Sequence, residues 1–359
     1  MNKYKNLTIA TSIDGKGGVA TVLNVLKSEG FFSQSNSELL VSHSRYYKYK
    51  LFNSLFVFTL CINKLIYNLL FNKVGAIHFH MSSRGSYMRK SILVRIAKCF
   101  KVKIIIHLHS GEFRKFYSEE CNSKKREHIR NTFNMADKVI VLSAQVLDWL
   151  NTILDDKSKG VVIYNSVPCK LIKPLMDSEF FNFVFLGRLA DKKGVSDLIM
   201  AFSIVAKSYP QARLLLGGDG ELDKFKILVS KLNLNDSVQF LGWISGDAKD
   251  ELLRKTNSYV LPSYNEGFPM GILEAMSCNI PIIATDVGGI PDAITSGEEG
   301  LLINAGDIDG LTNAMKYSIE SPLEIQRMQE KASIKYLNKF SPNIIIPQLI
   351  TIYKDLGVA

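Results

Sequence analysis

Cysteine is scarce and unpaired in this 359-residue sequence: Cys61, Cys99, Cys121, Cys169 and Cys278 form no CxxC, keep no regular spacing and are odd in number. Neither a disulfide framework nor a zinc knuckle is encoded, and buried reduced thiols of a cytosolic protein are expected. No secretory leader is expected from MNKYKNLTIATSID, whose apolar run covers only Leu7 to Ala10, and the start reads as a first strand. With 47% hydrophobic and 22% charged residues, the composition lacks the bias of disordered, collagenous or multi-span membrane chains. At roughly 100–200 residues per domain, the length allows two domains or at most three. Acidic residues are short in one half only. Residues 1–165 carry 25 Lys+Arg against 11 Asp+Glu, a balance of +14, whereas residues 166–359 carry 19 against 23, a balance of −4. Such an excess suits nucleic acid, an anionic membrane surface or an anionic substrate, and charge alone does not choose. No aromatic-interleaved basic motif is present, which argues against nucleic acid.

What the sequence has is rhythm. Short aliphatic runs at Leu7–Ser12, Glu38–Ser42, Gly75–His80, Val102–His107, Lys138–Leu142 and Val161–Tyr164 alternate with helix-length segments. A second series follows at Phe181–Leu186, Ala212–Gly217, Ser237–Leu241, Ser258–Leu261, Pro281–Thr285 and Gly300–Ile303. This βαβ alternation, twice over, predicts two doubly wound parallel sheets, with strand-end loops facing a central cleft. The expected division is a first domain over 1–165, a linker over 166–180 around Pro168 and Pro174, a second domain over 181–339, and a last helix over 340–359, restarted at Pro342, that crosses back to the first. Leu51–Phe71 is long enough to span a bilayer, but Asn53, Asn63, Lys64 and Asn68 interrupt it, so a packed or interfacial helix is expected.

Chemistry is expected in the loops. After the first strand, Asp14-Gly15-Lys16-Gly17-Gly18-Val19-Ala20-Thr21 lacks the lysine and hydroxyl that must follow the last glycine of a P-loop. Gly17 and Gly18 still let backbone N–H groups approach an anion at a helix start, with a ligand-free tight turn as the alternative. Gly187-Arg188 and Lys193-Gly194 place a planar fork and a compact charge at a strand end, a pairing suited to a diphosphate that gains charge as it leaves. Glu266 to Glu274 puts two carboxylates around a glycine-containing loop and helix start, where the amides of Phe268 to Ile272 could face an anionic or hydroxylated ligand. The one Asp-x-Asp, Asp307-Ile308-Asp309, precedes Gly310 and reads as a helix cap rather than a magnesium site.

Gly187-Arg188, Lys193-Gly194, Gly217-Gly218-Asp219-Gly220, Phe240-Leu241-Gly242, Pro262-Ser263, the Glu266/Glu274 pair and Val287-Gly288-Gly289-Ile290-Pro291 together resemble the retaining GT-B glycosyltransferases of family four, group 1. The resemblance covers nearly all of the second half. The first half matches more loosely, through Gly17-Gly18, His107-Leu108-His109, Leu142-Ser143 and Ile163-Tyr164-Asn165, and His78 to Ser83 resembles members that build bacterial surface polysaccharides.

The resemblance implies a retaining, metal-independent hexosyl transfer from a nucleotide sugar, UDP before GDP, to a glycan or lipid-linked glycan, with no cofactor required. It implies a cytoplasmic place, peripheral at the inner face of the membrane. Carried over by position, Arg188 and Lys193 bind the diphosphate, Glu274 the ribose, and Glu266 with Gly267, Phe268, Pro269, Met270, Gly271 and Ile272 the sugar. Gly242, Trp243 and Ile244 meet the base, Gly17 and Gly18 the donor, and His109, with Ser143 on the acceptor side, is the active-site histidine, His107 being the alternative. Three positions depart from the family pattern: Asn279 in a common glycine place, Gly217-Gly218 for a bulky residue and glycine, and Pro269 for a glycine in the sugar loop, which removes one backbone donor. A non-catalytic nucleotide-sugar or polyanion-binding relative is the competing reading.

Overall fold

The β-branched and aliphatic runs form twelve strands among the described residues, which in this computed structural model are 4–15, 17–43, 50–170 and 179–359. Six of them, β1 (Lys5–Thr11), β2 (Ser37–His43), β3 (Val74–Met81), β4 (Lys103–Leu108), β5 (Lys138–Val141) and β6 (Gly160–Val162), lie in one unit, Met1–Ser166 with Pro342–Ala359. The other six, β7 (Phe181–Leu186), β8 (Ala212–Gly217), β9 (Val238–Gly242), β10 (Ser258–Leu261), β11 (Ile282–Thr285) and β12 (Leu301–Ile303), lie in the second, Val167–Ser341. Lys16 and the segment 171–178, with Pro174, lie outside the described residues.

All pairings are parallel, and each sheet has six strands. The first runs β2-β1-β3-β4-β5-β6 and the second β12-β11-β10-β7-β8-β9. Parallel strands are covered on both faces and so read as continuous apolar runs, and Ile104, Ile105 and Ile106 are all fully buried. The order reverses between β1 and β3 in one sheet and between β7 and β10 in the other. A doubly wound sheet binds ligands beyond the carboxyl ends of its strands at such a reversal. The loops after β7 and β10 carry Arg188, Lys193 and Glu266.

The two faces of the first sheet differ. Ile77, Phe79 and Met81 of β3 and Ile104, Ile106 and Leu108 of β4 join one large apolar cluster. The alternate residues His78, His80 and His107 point the other way, with His80 in register with His107 across the strand pair. Helix Pro342–Asp355 belongs to this unit; its Tyr353 packs edge-on against Phe31, and the Asn6 side chain donates to Val358 O at 2.9 Å.

The apolar segment before β3 is one helix, Lys50–Phe71. Cys61 and Leu65 anchor it in the core, whereas Leu55, Phe56, Tyr67, Leu70 and Phe71 are each about three-fifths exposed or more (59–71%). It is long and apolar enough to cross a membrane by length and composition, with a mean hydropathy of 1.6 over Ser54–Phe71. Two cysteines depart from the expectation of burial: Cys99, at the end of helix Gly85–Cys99, and Cys169 are exposed, and all five are free.

Candidate active site

In the second unit the strand-end loops are bonded to one another in sequence across the sheet. Gly187 N donates to Gly217 O (2.9 Å), Leu189 N to Asp219 O (2.8 Å), Gly218 N to Gly242 O (2.6 Å) and Tyr264 N to Lys192 O (3.0 Å). Glycines permit the closest approaches. Gly194, at φ +69°, would put a Cβ 1.9 Å from Pro262 O, and Gly288, at φ +58°, would put one 1.9 Å from Glu266 O. Any side chain at either position would push the loop carrying Glu266 off its neighbours. The result is a rim whose side chains are held by backbone rather than by chance contact.

On that rim Lys193 Nζ meets Glu266 Oε1 at 2.5 Å, with the lysine 23% and the carboxylate 10% exposed. Ser263 Oγ donates to the same oxygen at 2.7 Å, and Thr285 Oγ1 donates to Ser263 O at 2.5 Å. Glu266 is therefore fixed by two donors. Arg188 is exposed and has no ion-pair partner among the described residues. Glu274, on helix Met270–Ser277, pairs with Lys249 at 2.6 Å. Burial beside Glu274 and Glu266 pushes the Tyr259 phenol far up, so its hydroxyl stays protonated and donates to Leu186 O at 3.2 Å.

Pro269 is the residue that precedes this helix, at φ −75° and ψ 126°. Its missing N–H lies ahead of the first turn, so the free amides of Met270, Gly271 and Ile272 remain. Gly267 is half-buried and Phe268 is buried against Phe340, with ring centroids 5.3 Å apart. The other departures resolve equally locally. Asn279 takes the left-handed conformation (φ 56°) that asparagine tolerates, and Gly218, at φ 146°, passes so close to Gly187 O that no Cβ fits. Gly242 turns the chain at φ 68° into Trp243, which is 47% exposed, and half-buried Ile244. Asp307 is a cap, its Oδ1 accepting from Gly310 N at 2.8 Å.

In the first unit, Gly17 precedes helix Gly18–Ser28 at φ 126°, no side chain caps that helix, and both glycines are exposed. His109, just past β4, is partly exposed; its N donates to Met81 O at 2.8 Å, and its Nε2 lies 2.8 Å from His80 Nδ1. His107 is buried, and neither of its ring nitrogens has a hydrogen-bond partner among the described residues. Of the two candidates, His109 is the more exposed. Burial first, and then the neighbouring His78 and Lys90, pushes the His109 imidazole down to about 3. Ser143 is a correction: its side chain is fully buried and its Oγ accepts from Val146 N at 3.3 Å, capping helix Ala144–Leu150, which leaves no hydroxyl for an acceptor. Leu-Ser before a helical run is equally the signature of an N-cap.

Two doubly wound six-stranded parallel sheets with this rim define the GT-B fold of nucleotide-sugar glycosyltransferases. Residues 172–335, nearly all of the second unit, match the family model "Glycosyl transferases group 1". The chain is 25% identical over 313 residues, 80% of its length and 78% of the relative's, to a 2-deoxystreptamine N-acetyl-D-glucosaminyltransferase of Niallia circulans. It is 28% identical over 267 residues, 71% and 68% of the two lengths, to an N-acetyl-alpha-D-glucosaminyl L-malate synthase of Bacillus anthracis. In fold it is similar to HepE of Anabaena, solved in complex with UDP and glucose (TM-score 0.79, 19% identity, 98% of this chain and 100% of that one). The matches in sequence and in fold are to glycosyltransferases, which favours an enzyme over the non-catalytic alternative.

Proposed function

We propose that the protein is a retaining, metal-independent hexosyltransferase that uses a UDP-sugar and a glycan or lipid-linked glycan acceptor in the synthesis of a bacterial surface polysaccharide. The observation that carries this reading is the convergence of Arg188, Lys193 and Glu266 on the loops after β7 and β10, at the strand-order reversal of the second sheet. Arg188 and Lys193 take the diphosphate, with Gly17 and Gly18 also on the donor side. Glu266 and the first-turn amides of helix Met270–Ser277 take the sugar hydroxyls, Glu274 the ribose, and Gly242 to Ile244 the base. His109 of the first unit is, in this reading, the active-site histidine.

In the transfer the bond from the anomeric carbon to the phosphate oxygen breaks, and its electron pair stays on the diphosphate. The acceptor oxygen bonds the anomeric carbon on the same face, and its proton passes to the departing phosphate. Charge grows on the phosphate, where a fork, an ammonium and helix-start amides stabilise it. No step needs a divalent cation, so transfer should persist in excess EDTA; a complete loss restored by magnesium would overturn that part.

Glu274→Ala should weaken nucleoside-diphosphate binding by about 10- to 100-fold, the worth of hydrogen bonds to a charged group. Titration with UDP measures this, and unchanged affinity would remove the ribose role. A thermal-shift screen of nucleotide sugars identifies the donor, since a ligand of the folded state raises the melting point.

The enzyme works, in this reading, at an anionic membrane surface on the cytoplasmic side. Residues 39–111 contain 12 Lys+Arg and 0 Asp+Glu, and this acid-free stretch includes both helix Lys50–Phe71 and its neighbour Gly85–Cys99, whose Met88 and Ile92 are 47% and 45% exposed. Each basic residue near an anionic leaflet contributes about 1 kcal/mol, and an exposed apolar helix face adds burial in the headgroup layer. At low salt the protein should float with anionic vesicles and not with neutral ones, and high salt should release most of it. Recovery in the soluble fraction with anionic vesicles at low salt would sink this localisation, and resistance to both salt and carbonate would mean a true span.

A further inference from the structure

Four histidines of the first unit form one stack. Ring centroids lie 4.6 Å apart for His78 and His80, 5.1 Å for His80 and His107, 4.9 Å for His80 and His109, and 4.1 Å for His107 and His109. The nitrogens of His78, His80 and His107 all lie within 4.8 Å of one another, the spacing of a loose metal group. Their rings are inclined to one another by only 13° to 33°. The contacts that close are hydrogen bonds: His80 Nδ1 to His109 Nε2 at 2.8 Å, and His78 Nδ1 to Tyr353 OH at 3.1 Å.

We propose that His80 is a positioning residue that fixes His109 as its Nδ1–H tautomer, so that His109 acts on substrate as a hydrogen-bond donor and not as a base. The two rings share one proton across the 2.8 Å contact. If it sat on His109 Nε2, His80 would accept at Nδ1 and carry its own proton on Nε2, which is buried with no partner among the described residues. A stranded buried N–H is the rarer and costlier arrangement; an unused lone pair is the milder one. The proton therefore belongs to His80 Nδ1, His109 Nε2 accepts it, and the remaining proton of His109 lies on Nδ1. That nitrogen is the one left free to meet a sugar or phosphate oxygen.

Both rings stay neutral at physiological pH. Burial is the main cause for each, and the groups that act on both are His78 from the sheet and Lys90 from helix Gly85–Cys99, with His109 acting on His80 as well, all of which disfavour a further positive charge. Tyr353 of helix Pro342–Asp355 reaches the stack only through His78, and burial keeps it protonated. A neutral donor also suits the transfer, because the acceptor proton goes to the departing phosphate and needs no imidazole.

The inference rests on His109 as the active-site histidine, and the test separates the two claims. With the full chain labelled in its imidazole nitrogens, His109 should be protonated on Nδ1 and bare on Nε2 between pH 6 and 8. The opposite tautomer, or a charged ring, would overturn the proposal regardless of activity. In turnover, His80→Asn, whose amide can donate from the place of Nδ1, should stay within about threefold of the wild type. His80→Leu should lower kcat by about 10- to 100-fold with KM for the donor little changed, as expected for a mis-set catalytic imidazole. His80→Asp, which only accepts, should be as poor as the leucine variant. Equal activity of all three, or an asparagine variant no better than leucine, would overturn the positioning role. Full turnover in His109→Ala would remove the active-site reading itself, while the imidazole spectrum decides the tautomer on its own.

Discussion

Arg188→Ala should lower kcat by about 10²–10³, the cost of removing one preorganised electrostatic contact from a developing charge. The residue follows Gly187 at the end of β7, on a loop bonded through Gly187 N to Gly217 O (2.9 Å) and through Leu189 N to Asp219 O (2.8 Å). Its exposed guanidinium has no ion pair to break among the described residues, so it meets a diphosphate without first leaving a partner. Negative charge on the leaving group is greater in the transition state than in the bound donor, so the loss should fall on kcat more than on the affinity for UDP. Arg188→Lys keeps the charge but not the planar fork, and should recover only part of the rate. Steady-state kinetics with UDP titrations measures both quantities. Turnover within threefold of the wild type at unchanged UDP affinity would remove the diphosphate role from Arg188, and weaker UDP binding with kcat unchanged would make it a ground-state contact only.

The parts of this architecture that depend on neighbours in the chain were legible in the sequence. Every strand lies where an aliphatic run predicts it, with Phe181–Leu186 and Ala212–Gly217 unshifted, because parallel strands covered on both faces are built mostly of apolar residues. The rim loops were legible because glycines at Gly194 and Gly288 mark close backbone approaches, for which no other residue serves. What stayed hidden is what register and crossover create. Lys193 and Glu266 are 73 positions apart, and nothing local says that they pair. His80 and His107 are set side by side only by the β3–β4 register, so the stack is invisible in two separate His-x-His runs. Ser143 was misread because a serine before a helix serves as a cap and as a ligand with the same local sequence.

The pairing of Lys193 with Glu266 makes a second large effect separable into two causes. Lys193→Met should lower kcat by about 10²–10³ through loss of the ammonium at the diphosphate, and it also strands a carboxylate that is only 10% exposed. An unpaired, largely buried carboxylate costs about 1–3 kcal/mol, even with Ser263 Oγ still donating to it at 2.7 Å, so this variant should also melt several degrees lower. Glu266→Gln keeps an oxygen for Ser263 but no charge for the lysine. It should lose a similar amount of activity, since the sugar contact changes, with a smaller loss of stability because Lys193 is 23% exposed and can turn toward water. In the double variant Lys193→Met/Glu266→Gln no charge is left unpaired. The melting point should return most of the way to that of the wild type, while turnover remains as low as in the worse single variant, the non-additivity of residues that act as a unit. Activity returning together with stability would mean that the pair only holds the loop after β10 in place, and that Lys193 never meets the diphosphate.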